Sequence, residues 1–387
     1  MAQLFIVFYS RPVNNGPSAS LQRDRLPGRV GGIDAARGFA GLIMIQGHAY
    51  DGWASPEAKT TVGYAVTRLF GTLPLPAFLL LAGAAVAWRV HVAVDRGENI
   101  DKVRRRVVAR GLQIVVYGYV VNLVYALLDG YDSIETLLRA DVLHVIGLSI
   151  AIVAALGIRG SQPRRRLALT AAILGVAVTL ACPWLTSFST SVEWGSAGMA
   201  VGPFLDVPGV TLMPFVPLSA WFAIGVGAGF FLAKARARSG DRSERGIPRR
   251  ALLQVLGVGL GLSFAGAFAT DLWVQHGADF SRSHPVIWMN VLDLGGRGLV
   301  VLGGGALAFD LLTPRLKAIL LILGRGSLVA YVFHIPFCYG AFAQPLADRL
   351  SMLDATAFVI LLMVVSTLAV IGRDLVRDRI AAHRTPA

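Results

Sequence analysis

The sequence predicts an all-α, polytopic integral membrane bundle of about ten spans. Three observations predict it. Runs of roughly 20 apolar residues recur from end to end, each long enough to cross a bilayer. Of the 387 residues, 55% are hydrophobic and only 15% are charged, less charge than a soluble chain of this length carries. The basic residues also cluster in alternate loops, the pattern of cytoplasm-facing connections. No hydrophilic stretch exceeds roughly 35 residues, short of the ~50 that a separate soluble domain needs.

The expected spans cover residues 33–53, 62–93, 106–128, 140–158, 166–186, 209–233, 250–272, 286–312, 316–341 and 355–374. The first, within RVGGIDAARGFAGLIMIQGHAYDGW, is a run of small and apolar residues between Asp34 and Arg37 at one end and His48 and Asp51 at the other. The second and eighth are long enough to be tilted or broken. Their prolines and glycines (Pro74, Pro76, Gly295, Gly296) are tolerated where neighbouring helices satisfy the backbone. The third follows the basic loop of Arg96, Lys102 and Arg104 to Arg106, and the fourth starts at Asp141. Arg159 and Arg164 to Arg166 lead into the fifth, and Lys234, Arg236 and Arg238 close the sixth. The seventh carries GVGLGLSFAG, a close-packing helix surface. The ninth is KAILLILGRGSLVAYVFHIPFCYGAF, and the tenth ends at Arg373. With ten crossings and both termini cytoplasmic, every basic loop falls on one side. The net charge of +13 is then topology rather than a nucleic-acid footprint.

The apolar run of MAQLFIVFYSRPVNNGPSAS is too short for a signal peptide and lacks a basic lead. Residues 1–28 are expected to be a disordered cytoplasmic segment, 29–376 the membrane domain, and 377–387 a short basic tail. Cys182 and Cys338 have no metal-ligand spacing and are read as small apolar packing residues.

Polar groups within the spans are the candidate functional residues, because each is expensive in hydrocarbon. A helix advances about 100° per residue, so Arg37 and His48 lie within roughly 20° of each other and about 16 Å apart along the axis, with Asp34 on the same side. His48 is read as a general base or acid–base partner, against a hydrogen-bonded packing histidine. Asp34 and Arg37 can pair at i, i+3, either to hold the helix entry or to serve the chemistry. His144 follows Asp141 by three residues, so the carboxylate is placed to orient the ring; an interface residue is the other reading. His334 shares a face with Tyr331, as a polar wall or as packing. In the expected topology His48, His144 and His334 all lie in the outer half, at depths that fit one cavity. Arg325 is a candidate for phosphate or carboxylate or an interfacial anchor. Arg297 and Asp293 form a structural pair. No histidine spacing suits a metal, and none is expected.

These residues also resemble a known family. Asp34, Arg37-Gly38 and His48 resemble the start of the transmembrane acyltransferase superfamily. LPLPAFLLLAG (73–83), DVLHVIGLS (141–149), FVPLSAWFAIGVGAG (215–229) and LGRGSLVAYVFHIP (323–336) follow in that superfamily's order. The set is most similar to the bacterial branch related to heparan-alpha-glucosaminide N-acetyltransferase; the glycan O-acetyltransferases of the acyltransferase-three group share the Arg-to-His spacing. The resemblance implies a cytosolic acyl-CoA donor, usually acetyl-CoA, and a sugar or glycan acceptor on the far side of the cytoplasmic membrane. His48 would be the catalytic histidine, as base or acyl carrier, with Asp34, Arg37, Asp141, His144 and His334 around it. Arg104, Arg105, Arg106, Arg110 and Arg325 would meet the CoA phosphates. Some members have Asn at the His48 position and a histidine shortly after; this chain has none between His48 and His91. Whether the acceptor is an amine or a hydroxyl stays open. So does a homodimer, since spacings such as Gly225 to Gly229 suit packing within or between chains. The alternative is a transporter or flippase for a lipid-linked or sugar substrate, with the histidines as a proton relay.

Overall fold

In the computed structural model of the chain, residues 30–383 are described, except 130–133, 196, 203, 208–210, 240–245 and 276–283. The lead-in expected over 1–28 lies outside the described residues, as do the last four residues of the tail. The chain forms α1 (Gly31–Trp53), α2 (Val62–Gly71), α3 (Pro74–Asp95), α4 (Ile100–Asp129), α5 (Val142–Gly157) and α6 (Pro163–Ser191). It continues with α7 (Phe215–Ser239), α8 (Arg249–Gln275), α9 (His284–Ala308), α10 (Pro314–Arg325), α11 (Ser327–Cys338) and α12 (Met352–His383). Among the described residues the one extended pairing is a parallel bridge between Ala54 and Leu350.

The helix starts follow local chemistry. Thr61 accepts from the Tyr64 N–H, Asp141 from those of Leu143 and His144, and Thr313 from that of Leu316. Each satisfies a donor that the first helical turn leaves open. Pro74, Pro163 and Pro314 sit in first turns, where a missing N–H costs nothing.

Seven helical stretches are long and apolar enough to cross a membrane, or eight if the bent pair α10–α11 is one span; α2 and α3 count together. The other two expected spans are helices of a different kind. α5 has 16 residues, about 24 Å. α1 has 23 residues but carries Asp34, Arg37, His48 and Asp51. The ninth span, expected as one stretch over 316–341, bends by 84° at Gly326. Into the basic tail α12 runs on as a helix through His383. Residues 373–383 contain neither Gly nor Pro, and Arg377 pairs with Asp374 one turn back, so nothing stops the helix at 376.

α1 is the hub, packed against α2, α3, α9, α10, α11 and α12. In lipid there is no hydrophobic drive between helices, so close backbone approach must supply the attraction. Gly38 lies against the Leu320 carbonyl, Gly324 against the Asp34 carbonyl and Gly52 against the Cys338 carbonyl. A side chain at any of the three would collide with backbone. α3 is buried almost all round, with Leu79, Leu80 and Leu81 inaccessible. The outer helices instead turn apolar residues outward, among them Ile173, Phe264 and Ile360, as a lipid-facing surface does. Cys182 and Cys338 are buried free thiols.

Charges inside the bundle are paired. Arg297 grips Asp293 through two hydrogen bonds of 2.8 and 2.6 Å, and Ser263 donates to the same carboxylate. Arg297 also donates to Thr72 at 2.9 Å, bracing the break between α2 and α3. At the Asp34 end, Arg89 donates twice to Glu98, which holds that carboxyl below its usual range. Arg164 binds the His91 carbonyl and Asp95, and Arg236 lies over the Trp88 ring. The basic loops thus gather at one end of the bundle.

The packing account separates two glycines of α1's neighbourhood. Gly324→Ala should lower the melting temperature in detergent, at an overpacking cost of about 1–3 kcal/mol. Gly41→Ala, where a Cβ meets nothing within 4 Å, should leave it unchanged or raise it. Equal melting temperatures for the two variants would refute the account.

Candidate active site

α1 and α11 bring His48 and His334 into contact across 286 residues of sequence. His48 Nδ1 and His334 Nε2 are 2.9 Å apart, and the rings stack at 5.2 Å with a 10° interplanar angle. The bend at Gly326 swings α11 against the far half of α1. There Trp53 Nε1 donates to the Phe337 carbonyl at 2.8 Å. The Asp348, Arg349 and Leu350 amides then bind the Gly52 and Trp53 carbonyls, so the ends of both helices are clamped together.

The hydrogen bonds dictate the proton positions. His334 is fully buried, and its Nδ1 lies 2.8 Å from the Ala330 carbonyl oxygen. A carbonyl only accepts, so Nδ1–H of His334 donates to it and Nε2 is left as an acceptor. His48 therefore donates its Nδ1–H to His334, and its own Nε2 carries the lone pair. The tautomers follow from this network. His48 is partly accessible, with Tyr339 edge-on to the ring at 5.5 Å.

The second histidine cluster is enclosed. His144 is 1% exposed and lies against Gly118 of α4 and the Tyr119 ring. Its Nδ1 is 2.8 Å from Asp141 Oδ1 and 3.1 Å from the Asp141 amide nitrogen. The shorter contact to a buried carboxylate calls for a proton on Nδ1. Nε2 then has a lone pair and no hydrogen-bond partner among the described residues. Tyr331 joins the two clusters: its hydroxyl donates to Asp141 Oδ2 at 3.2 Å, and its ring meets His334 edge-on at 6.0 Å. So His48, His334, Tyr331, Asp141 and His144 form one continuous run of side chains.

The other expected site residues lie elsewhere. Asp34 and Arg37 are 3.4 Å apart at the opposite end of α1, about 21 Å and about 16 Å from His48 along the axis. Arg325 ends α10 beside them, next to Gly324 and the Asp34 backbone. Arg104 pairs with Asp101 at 3.2 Å, while Arg105 and Arg106 are exposed. Arg110 donates to Gln113 at 2.7 Å, and Gln113 to Tyr117 at 2.9 Å. These arginines lie on α4, which packs chiefly on α5. Between Arg37 and His48, on the same stripe of α1, Gly41 is buried yet its side-chain position faces open space.

One group was legible in the sequence only as an acid at the end of the first span. Asp51 accepts from Tyr339 at 2.9 Å, Arg68 at 3.1 Å and Tyr64 at 3.4 Å, one helical turn beyond His48. The one available signal was its i+3 spacing from His48 on a helix; Arg68 and Tyr339 gave none.

A family model for the heparan-alpha-glucosaminide N-acetyltransferase catalytic domain matches residues 29–262, more than half of the chain. The matched stretch contains His48, Asp51, Asp141 and His144; Tyr331 and His334 lie beyond it. No curated protein matches the chain. With its multi-pass helical bundle, the chain belongs to the heparan-alpha-glucosaminide N-acetyltransferase catalytic-domain family of membrane acetyltransferases.

Proposed function

We propose that this protein moves an acyl group, most simply acetyl, from cytosolic acyl-CoA to a sugar or glycan acceptor on the other side of the cytoplasmic membrane. One observation carries the reading: the hydrogen bond between His48 and a buried His334 that the Ala330 carbonyl holds in one tautomer. It leaves His48 Nε2 as a basic nitrogen in a partly accessible position.

In the transfer, His48 Nε2 takes the proton of the acceptor's O–H or N–H. The freed oxygen or nitrogen bonds to the acyl carbon, the C–S bond breaks, and the CoA thiolate takes the proton back from His48. The charge that forms on His48 is shared with His334 through the Nδ1–H, as an orienting partner does for other catalytic histidines. Nε2 is also the atom that would carry the acyl group in a two-step route. Acyl-CoA enters from the basic end, where Arg37 lies on α1 with Arg325 beside it and Arg104, Arg105, Arg106 and Arg110 lie on α4. The open position at Gly41 supports a path for the pantetheine arm along the Arg37–His48 stripe. Asp141 and His144, enclosed as they are, act through Tyr331 as positioning groups. The same run of titratable side chains suits a proton relay in a transporter or flippase, the competing reading.

His48→Ala should cut acetyl transfer by about 10²–10⁴-fold with the melting temperature retained, and His334→Ala by less. Full activity in His48→Ala would remove the assignment. Saturating acetyl-CoA should raise the melting temperature of the purified protein; no shift at millimolar ligand favours the transporter. Gly41→Leu should raise the KM for acetyl-CoA without lowering thermal stability, and an unchanged KM would place the donor path elsewhere.

A further inference from the structure

Beside His48 stand groups that neither the hydrogen-bonded histidines nor the donor path uses. Asp51 and Arg68 are an ion pair at 3.1 Å, with 40% and 49% of their side chains exposed. Among the described residues, Asp51 Oδ1 serves Arg68 and Tyr64, while Oδ2 serves Tyr339 alone. A carboxylate has about four lone-pair directions, so Oδ2 keeps one for a further donor. Tyr339 is 50% exposed, and its ring edge meets His48. The phenol oxygen donates to Asp51 and retains its own acceptor capacity.

We propose that Asp51, Arg68 and Tyr339 form the acceptor subsite, and that it recognises the uncharged, hydroxyl-bearing face of a sugar ring. This rests on the acyl-transfer reading above and adds what selects the acceptor. A ring with several hydroxyls offers donors to Asp51 Oδ2 and the Tyr339 oxygen and acceptors to Arg68. The exposed Tyr339 ring offers an apolar face for the C–H side of the same sugar. Because Arg68 balances the charge of Asp51, an ammonium group gains little here: it meets a guanidinium as well as a carboxylate. Asp51 and Tyr339 thus hold the ring by its hydroxyls while the reacting group faces His48, whether that group is an amine or a hydroxyl.

The test is direct binding of methyl β-D-glucoside and of D-glucosamine to the purified full chain, with acetyl-CoA affinity measured in parallel. Asp51→Asn and Tyr339→Ala should each weaken both sugars by about tenfold or more, the loss of a charge-assisted hydrogen bond or a ring contact. Acetyl-CoA affinity should stay at the wild-type value and certifies the fold of each variant; if one variant fails that check, the other decides. Wild-type affinity for both sugars in the variants overturns the proposal. So does a wild-type protein that binds neither sugar. Loss confined to D-glucosamine also overturns it, since the carboxylate would then be reading an ammonium. Failure of the acyl-transfer reading shows separately, as absent acetyl-CoA binding or full activity in His48→Ala.

Discussion

The contact between α1 and the bent pair α10–α11 is what the rest of the structure depends on. It is made at three points where glycine lets one backbone touch another: Gly38 on Leu320, Gly324 on Asp34 and Gly52 on Cys338. In a bilayer, lipid competes equally for apolar surface, so close packing and interhelical hydrogen bonds must hold helices together. Fixing α1 at both ends against the bent pair fixes His48 against His334. A bulky residue at Gly52 would push α11 away and open the 2.9 Å hydrogen bond.

Mutual pairing explains how the polar groups survive in the bundle. An isolated charge at the centre of a membrane helix costs about 2.5–3.5 kcal/mol on insertion scales. Here Arg297 meets Asp293 and Thr72, Ser263 donates to Asp293, and Asp141 meets Leu143, His144 and Tyr331. His48 and His334 satisfy each other as neutral rings. The donors and acceptors interlock from Ala330 to His48, and the run ends on one nitrogen with nothing left to donate. The His48 ring is pre-oriented by the same bonds that keep it from being a liability.

The two ends of α1 have different chemistry. At the Asp34 end, Arg37 and Arg325 stand among the arginine-rich loops; at the His48 end, Asp51, Arg68 and the tyrosines form a charge-balanced, hydroxyl-rich cluster. A donor with phosphates and an acceptor with ring hydroxyls suit opposite ends. The proposed transfer, with its donor and acceptor on opposite sides of the membrane, needs that division.

Much of this was legible in the residues. Hydropathy and the alternation of basic loops report a local preference for lipid or water, and they placed a helix at every expected span. The polar residues inside apolar runs picked out His48, His144, His334, Asp141, Arg297 and Asp293 for the same reason. The motifs around Arg37 and His48 pointed to the family. What the sequence could not determine was which of these groups meet. Three histidines at similar depth read as one cavity, yet His48 and His334 touch, and His144 is sealed behind Tyr331. The 84° bend at Gly326, the tautomer set by Ala330 and the gathering of Arg68 and Tyr339 on Asp51 were decided by tertiary structure alone. Burial in lipid depends on each segment's own composition, whereas these contacts join residues far apart in the chain and exist only once the helices have packed.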